Sequence, residues 1–452
     1  MFNKLILFFK NQDDKTKIVS KNILWSAFIK CISIGTGFLS VPILLNYLGQ
    51  AEYGIWLTIS SFLGWFGVFD LGIGNGLRNK LTEALTIKDF EKAKIYVSTA
   101  YAVLGAIFTT LFVLFYAIAP YLNWSHIFNV PLDLNHALLT AILYLFGALC
   151  TQFVLKLILT IFLSDHQVAW SDALNAAIQV ILLAIAWHLD FFKSNQKLVF
   201  LAAVYAIIPI LILLITNVLC FNGKYKYLKP SLEAIQLKHF KGIGSLGFNF
   251  FIIQLATIVI YATDNMLITQ LFSPEQVTIY NIAFKYFNTI TITFTIILTP
   301  FWSMITAAMQ KGELDWIKKS TRQLIGSWIL FFCCGLVMLW AAADVYKIWT
   351  RGQVVVPFKL SLVCFLYVFI MSWGNIFAII VNAVGKIRLQ FYLSIFLMLI
   401  NIPLCFFLVK TVGMSVEGIP MAGILSMIIS GGFIQFQAYK ILNNQAKGVW
   451  YQ

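Results

Sequence analysis

Two ionisable residues sit in apolar sequence that a bilayer would surround. Asp264 lies ten residues before Pro274 and Lys285 eleven after it. If the proline opens the second arm of a helical hairpin, a rise of about 1.5 Å per residue brings both side chains to nearly one depth. A charge at the centre of a spanning helix costs about 2.5–3.5 kcal/mol on insertion scales, so such residues mark ion paths, relays or substrate sites. Paired, the two neutralise each other. Released, Lys285 is a point-charge ligand for phosphate. A second set, Lys30 and Asp70, lies twenty residues to either side of Gln50 and so far from that turn. The expectation is two ionic layers, one towards each side of the membrane, that close the two sides in turn. Lys156 is a third lysine in apolar sequence, six residues before Phe162. Either it snorkels to the interface or it lends positive charge to a cavity floor.

Polar stripes surround these charges. Asn22, Ser26, Lys30, Ser33, Gly37 and Ser40 recur at spacings of three and four, which is one helix face. Asn281, Lys285, Asn288, Thr295, Thr299, Ser303 and Thr306 repeat the pattern, with Ile292 interrupting it. Ser245, Asn249, Thr257 and Asp264 share a further apolar segment, as do Gly67, Asp70 and Gly74. Small and hydroxyl residues also hold membrane helices together without lining anything. The lysines on two of the stripes favour a water-filled cavity. The candidate site is therefore Lys30, Lys156 and Lys285 as cationic binding groups, and Ser26, Ser33, Asn249, Asn288 and Thr295 as polar lining. Asp70 and Asp264 are the candidates for gating or ion coupling. Trp56, Trp65 and Trp302 could stack on sugar rings.

Those groups need helices to hold them. Of 452 residues, 60% are hydrophobic and 11% charged, where soluble domains carry about 25% charged residues. A spanning helix needs about 20 mostly apolar residues, and twelve segments qualify: 22–47, 53–76, 96–118, 136–161, 168–189, 198–220, 243–270, 278–308, 323–344, 358–381, 389–409 and 418–440. We number them spans 1 to 12. Counting Lys359 and Lys440 with the loop and terminus they border, twenty-three of the 32 Lys and Arg fall at the termini or in even-numbered loops, six in odd loops and three inside spans. By the positive-inside rule both termini are cytoplasmic, and the same bias accounts for the net charge of +14 without a nucleic-acid partner.

A weak internal repeat divides the chain. Asp89-Phe90-Glu91-Lys92 after span 2 matches Asp315-Trp316-Ile317-Lys318 after span 8, at an offset of half the chain. Six spans between equivalent points give parallel repeats, a known transporter plan. The expected layout is an N-terminal lobe over 1–221, a cytoplasmic linker over 222–241 and a C-terminal lobe over 242–452. The fold class is all-α: twelve transmembrane helices in two six-helix lobes around a central cavity.

The remaining motifs narrow the chemistry. The seven cysteines lie in or beside apolar segments without ligand spacing, and the five histidines have no acidic or thiol neighbour at metal-binding spacing. GxxxxGK[ST] is absent, so ATP hydrolysis by that route is not expected. A membrane glycan polymerase or ligase would need a substantial outer loop with catalytic groups. The longest such connection here, 119–135, has no Lys or Arg and one histidine. No enzymatic activity is expected. A cationic, hydroxyl-rich path suits a polyprenyl diphosphate sugar, whose charged head must cross while its tail stays in lipid. A cation-coupled drug exporter would instead favour acidic cavity residues.

The residues also carry a resemblance. Pro42, Leu48-Gly49 and Tyr53-Gly54, then Phe69-Asp70-Leu71-Gly72-Ile73-Gly74 with Arg78, then Thr263-Asp264-Asn265 with Tyr280-Asn-Ile-Ala-Phe-Lys285, resemble the polysaccharide (O-antigen) flippases of the multidrug/oligosaccharidyl-lipid/polysaccharide exporter superfamily. The resemblance implies two six-helix lobes with spans 1, 2, 7 and 8 lining a V-shaped cavity. It implies alternating access in the bacterial inner membrane, with undecaprenyl-diphosphate oligosaccharide as cargo and H+ or Na+ coupling in place of a cofactor. Membrane lipids, a polysaccharide polymerase and chain-length proteins are the implied partners, and a monomer is the default. The multidrug exporters of the same superfamily are the alternative.

Overall fold

The computed structural model describes residues 14–65, 71–165, 167–189, 196–236, 263–384, 386 and 388–451. Inside several helices it describes the backbone alone, as at Ser26 and Lys30, while Asp70 and Asn249 lie outside the described residues. No β-strand occurs among the described residues. The principal helices are α1 (Asp14–Leu48), α2 (Gln50–Trp65), α3 (Leu71–Thr86), α4 (Phe90–Ile118), α5 (Asn135–Leu155), α6 (Leu157–Ser164), α7 (Val168–Trp187), α8 (Lys197–Asn222), α9 (Asp264–Leu271), α10 (Pro274–Lys311), α11 (Leu314–Trp349), α12 (Phe358–Val384), α13 (Arg388–Phe406) and α14 (Gly418–Leu442).

Nine of the described helical stretches are long and apolar enough to cross a membrane. They correspond to spans 1, 3, 4, 5, 6, 9, 10, 11 and 12. Spans 2 and 7 are cut by residues outside the described set. Span 8 is the continuous 38-residue α10, whose Asn, Thr and Lys residues lower its hydropathy. At about 1.5 Å per residue it is far longer than the ~30 Å hydrocarbon core.

The chain divides into two compact units: Met1–Leu48, Phe66–Ile127 and Pro131–Phe251, and Gly49–Trp65, Phe128–Val130 and Ile252–Gln452. The division departs from the expected lobes. Residues 49–65, the first half of span 2, group with the second unit because α2 packs along α9 and α10. Of the expected linker, residues 237–241 lie outside the described residues. Residues 223–236 fold back on the first unit, where the Ser231 N–H donates to Ser98 Oγ at 3.2 Å and the Gln236 N–H to Thr99 Oγ1 at 3.0 Å.

In the first unit α1 packs against α7, and α5 against both α4 and α8. Stacked rings lock α4 to α5: Phe108 on Phe153 at 4.5 Å and Phe115 on Phe146 at 4.0 Å. Span 4 is not one helix. It breaks at Lys156 between α5 and α6, and Asn217 of α8 supplies the reason. Its amide donates to the Leu155 carbonyl at 2.9 Å, while its own oxygen accepts the Tyr101 hydroxyl at 2.7 Å. A side chain entering the helical ladder is a recognised cause of such a bend.

The second unit is built round α12, which buries residues along its whole length against α10, α11 and α14. Gly335 of α11 lies against the Phe369 ring and Gly423 of α14 against the Tyr367 ring, so a Cβ at either would overlap the ring. The sequence repeat has a backbone counterpart. Each long helix after the matched turn follows a left-handed residue, Lys88 (φ 59°) before α4 and Gly312 (φ 74°) before α11. Asp89 caps α4 by accepting the Lys92 N–H at 3.1 Å. That bond, and then the Lys92 ammonium, hold its carboxyl below the usual carboxylate range.

Candidate functional site

α9 and α10 form the expected hairpin, turning at Phe272 and Ser273. Ser273 is extended (φ −162°, ψ 165°) and Pro274 occupies the first turn of α10, where its missing N–H costs nothing. The register of the hairpin decides the partner of Asp264. Its carboxylate accepts the Tyr280 hydroxyl at 2.7 Å. One residue on, the Asn281 amide donates to Asn265 Oδ1 at 2.7 Å. Because the turn is centred before Pro274, Lys285 lies about one helical turn deeper than Asp264, roughly 6 Å. The expected Asp264–Lys285 pair is therefore not formed. Ion pairs formed among the described residues include Lys80–Glu83, Lys92–Asp89 and Lys224–Asp165.

α2 closes the other side of this hairpin. Asn265 donates to Ser61 Oγ at 2.6 Å, Thr58 and Thr269 share a hydroxyl–hydroxyl bond at 2.8 Å, and Thr278 donates to the Gln50 carbonyl at 2.7 Å. Thr58, Thr269 and Thr278 are fully buried. Gly54 meets the backbone carbonyl of Pro274 so closely that a Cβ there would overlap it. Asn129, in the left-handed region at φ 51°, donates to the Thr269 and Phe272 carbonyls at 3.0 and 3.1 Å and caps the end of α9. Thus a zipper of side-chain hydrogen bonds, with the Asp264 carboxylate among its members, holds α2, α9 and α10 together. Of its members, Asp264 and Asn281 stand out in the sequence through the charge and the α10 stripe. Thr58 and Ser61 on α2, and Asn265 and Thr269 on α9, recur at spacings of three and four, which is the signal that marks the rest.

Lys285 is half-buried, and its ammonium makes no hydrogen bond or ion pair with a described residue. Asn288, also half-buried, and exposed Thr295 continue along α10, and the Thr295 hydroxyl returns to the Thr291 carbonyl at 2.8 Å. The adjoining face of α10 is core, with Thr291 against Ser372 at 3.3 Å and Phe287 against Phe365 at 5.9 Å between ring centres. Tyr280 and Asn281 join the zipper and Lys285 begins the more open stripe.

The first unit holds the other candidates. Ser33 is half-buried on α1, and its carbonyl accepts the Thr36 hydroxyl at 2.9 Å, while that hydroxyl also lies 3.3 Å from Gln179 Oε1. Lys156 stands at the break between α5 and α6, half-buried. Lys197, unremarked in the sequence, donates to the Tyr47 carbonyl at 2.9 Å and so offsets the negative end of α1. Beyond the last turn of α8, Asp165 accepts from Lys224 at 2.6 Å and Tyr225 at 2.8 Å. Burial, then the bond to Asp165, raise the Tyr225 phenol well above its ordinary range.

A protein described as an O-antigen export protein of Yersinia pseudotuberculosis is 22% identical over 384 residues, covering 82% of this chain and 84% of the relative. One described as an O-antigen transporter of Salmonella typhi is 22% identical over 378 residues, covering 80% and 82%. Among solved structures, an inward-facing multidrug-resistance MATE transporter of the MOP superfamily superposes with a TM-score of 0.77 at 11% identity, covering 90% of this chain and 94% of that one. The chain thus has the all-helical MATE transporter fold. The profile of the family described as "Polysaccharide biosynthesis protein" matches residues 19–306, which is more than half of the sequence, and the chain belongs to that family.

Proposed function

We propose that the protein is a flippase that carries a polyprenyl-diphosphate-linked oligosaccharide across the bacterial cytoplasmic membrane by alternating access. The observation that carries this reading is Lys285: a lysine among apolar helices, with no acidic partner among the described residues, on the polar stripe of a helix in a polysaccharide-biosynthesis family. An ammonium inside a membrane is tolerated where it meets water, a counter-charge or a charged substrate. A diphosphate supplies that counter-charge while the hydroxyl and amide groups of α10 hydrogen-bond sugar. Lys30 and Lys156 are the further cationic groups on the path. The lysine distribution supports cytoplasmic termini, which puts the α9–α10 turn on the outer side.

Asp264 is the coupling carboxylate in this reading. Its buried position beside the Tyr280 hydroxyl suits uptake of H+ or Na+, either of which would remove the cost of a bare charge in the zipper. Asp70 has the corresponding role towards the inner side. The test is a deletion strain. Loss of outer-leaflet glycan with accumulation of the lipid-linked unit on the inner leaflet, both reversed by the intact gene, is expected. Unchanged surface glycan rejects the reading. The MATE fold also fits an ion-coupled drug exporter, which predicts instead that the deletion sensitises cells to organic cations.

A further inference from the structure

Two stretches of the first unit that are far apart in sequence meet at the ends of α4 and α8. Tyr227, just beyond α8, sets its ring edge-on against Phe90, the first residue of α4, at 5.0 Å between centres. Phe90 remains 46% and Tyr227 40% exposed. The contact brings Lys88, two residues before Phe90, and Lys226, next to Tyr227, to one aromatic pair. Both lysines are exposed and form no ion pair with a described residue. Ile87, beside Lys88, and Leu232, in the next turn of the fold-back, are exposed apolar side chains. The surface is fixed from behind. Asp165 accepts from Lys224 and Tyr225, Leu228 is fully buried and the Ser231 N–H is bonded to Ser98. Between these anchors Lys226, Tyr227 and Lys229 are turned outward.

Charge and depth together select the occupant. Asp89 and Asp165 are paired with Lys92 and Lys224. The Lys229 ammonium meets only a neutral acceptor, Asn222 Oδ1, at 3.3 Å. Lys88, Lys94, Lys226 and Lys229 thus stand against two exposed carboxylates, Glu91 and Glu233, and the surface is net positive. Phe90 lies six residues before the apolar run of span 3 begins, and Lys226 six after that of span 6 ends. That is under two helical turns, the level of the headgroups rather than of hydrocarbon or bulk water. Exposed rings and aliphatic side chains at this level seat in the interface, and lysines interleaved with them attract anionic lipid. A free anion in water would make no use of the apolar side chains. We infer that this surface binds the phosphate of an anionic phospholipid, with Phe90 and Tyr227 seated among the headgroups. The fixed backbone lowers the cost of ordering the site. Such a site ties the ends of α4 and α8 to the leaflet whatever the cargo.

The test uses the full-length protein in phosphatidylcholine nanodiscs, with phosphatidylglycerol carrying a photoreactive group on its headgroup as probe. The label is expected on the peptides 87–94 and 224–232, and a phosphatidylcholine probe of the same design should label them far less. Lys226→Gln should lower phosphatidylglycerol labelling roughly fivefold, and Lys88→Gln with Lys226→Gln roughly twenty-five-fold. Phe90→Ala removes apolar contact and no charge, so it should weaken labelling and leave its salt dependence intact. Lys347→Gln with Lys359→Gln, in the second unit, removes as much charge and should label these peptides as the native protein does. All five side chains are exposed, and unchanged melting temperatures show that the variants fold. Equal labelling by the two probes, native labelling of the Lys88 and Lys226 double variant, or an equal loss in the Lys347 and Lys359 variant would each overturn the proposal. So would displacement of the label by inorganic phosphate but not by unlabelled phosphatidylglycerol, which would give the surface to a soluble anion.

Discussion

The Tyr280 hydroxyl donates to the buried Asp264 carboxylate at 2.7 Å, across the α9–α10 hairpin. An amide in place of the carboxylate keeps an oxygen that accepts this bond but can no longer carry a charge or release a proton. Asp264→Asn should therefore unfold close to the native temperature and lose glycan export. Tyr280→Phe removes a donor from a buried acceptor, which costs about 1–3 kcal/mol, and the melting temperature should fall. Export at the native rate by Asp264→Asn would exclude a coupling or gating role for this carboxylate.

Gly54 has no room for a methyl group. A Cβ would strike the carbonyl carbon and oxygen of Pro274, backbone atoms that cannot swing aside. Gly54→Ala must lift α2 from α10 and stretch the Thr278–Gln50 and Thr58–Thr269 bonds with it. Overpacking of this kind costs about 1–3 kcal/mol. Gly64→Ala on the same helix meets nothing within 4 Å and should be neutral or gain up to about 1 kcal/mol of helix propensity. Thermal unfolding in detergent compares the two, and equal melting temperatures would show that the α2–α10 approach is not tight.

Asn217 holds three groups at the break in span 4: the Leu155 and Leu213 carbonyls accept its amide, and Tyr101 donates to its oxygen. Asn217→Leu should cost about 1–2 kcal/mol, the upper part of the range for hydrogen bonds between membrane helices. Tyr101→Phe added to it should cost almost nothing more, because the two share one network. Amide exchange at residues 156–160 should rise in the single variant. Additive losses would show that Tyr101 and Asn217 act separately.

Hydropathy and lysine bias carry most of the fold, because a spanning helix must bury about 20 residues in lipid whatever its neighbours do. The break at Lys156 was not legible. It depends on Asn217, sixty residues away, entering the ladder. The grouping of residues 49–65 with the second unit was hidden for the same reason, since Gly54, Thr58 and Ser61 act only through α9 and α10. Asp264 stands out in the sequence by its charge, but its partner Tyr280 does not. The difference is one helical turn, set by where Ser273 extends the chain rather than by where Pro274 stands.

That turn reverses the expected outcome of a charge exchange at Lys285. An Asp264–Lys285 pair predicts that Asp264→Lys with Lys285→Asp restores the export lost in either single variant. The structure gives Asp264 to Tyr280 and leaves Lys285 about 6 Å deeper, with no acidic partner among the described residues. The double exchange should then fail. It places an ammonium against the Tyr280 hydroxyl in the zipper and a carboxylate where a diphosphate would pass. Lys285→Gln, which keeps length and loses charge, should lower export at least roughly tenfold, the loss of about 1.4 kcal/mol in phosphate attraction. Lys285→Arg should retain part of it, since the charge stays while the planar fork replaces a compact point charge. Export rates from pulse-labelled surface glycan separate the possibilities, and rescue by the double exchange would restore the ion pair as the working arrangement.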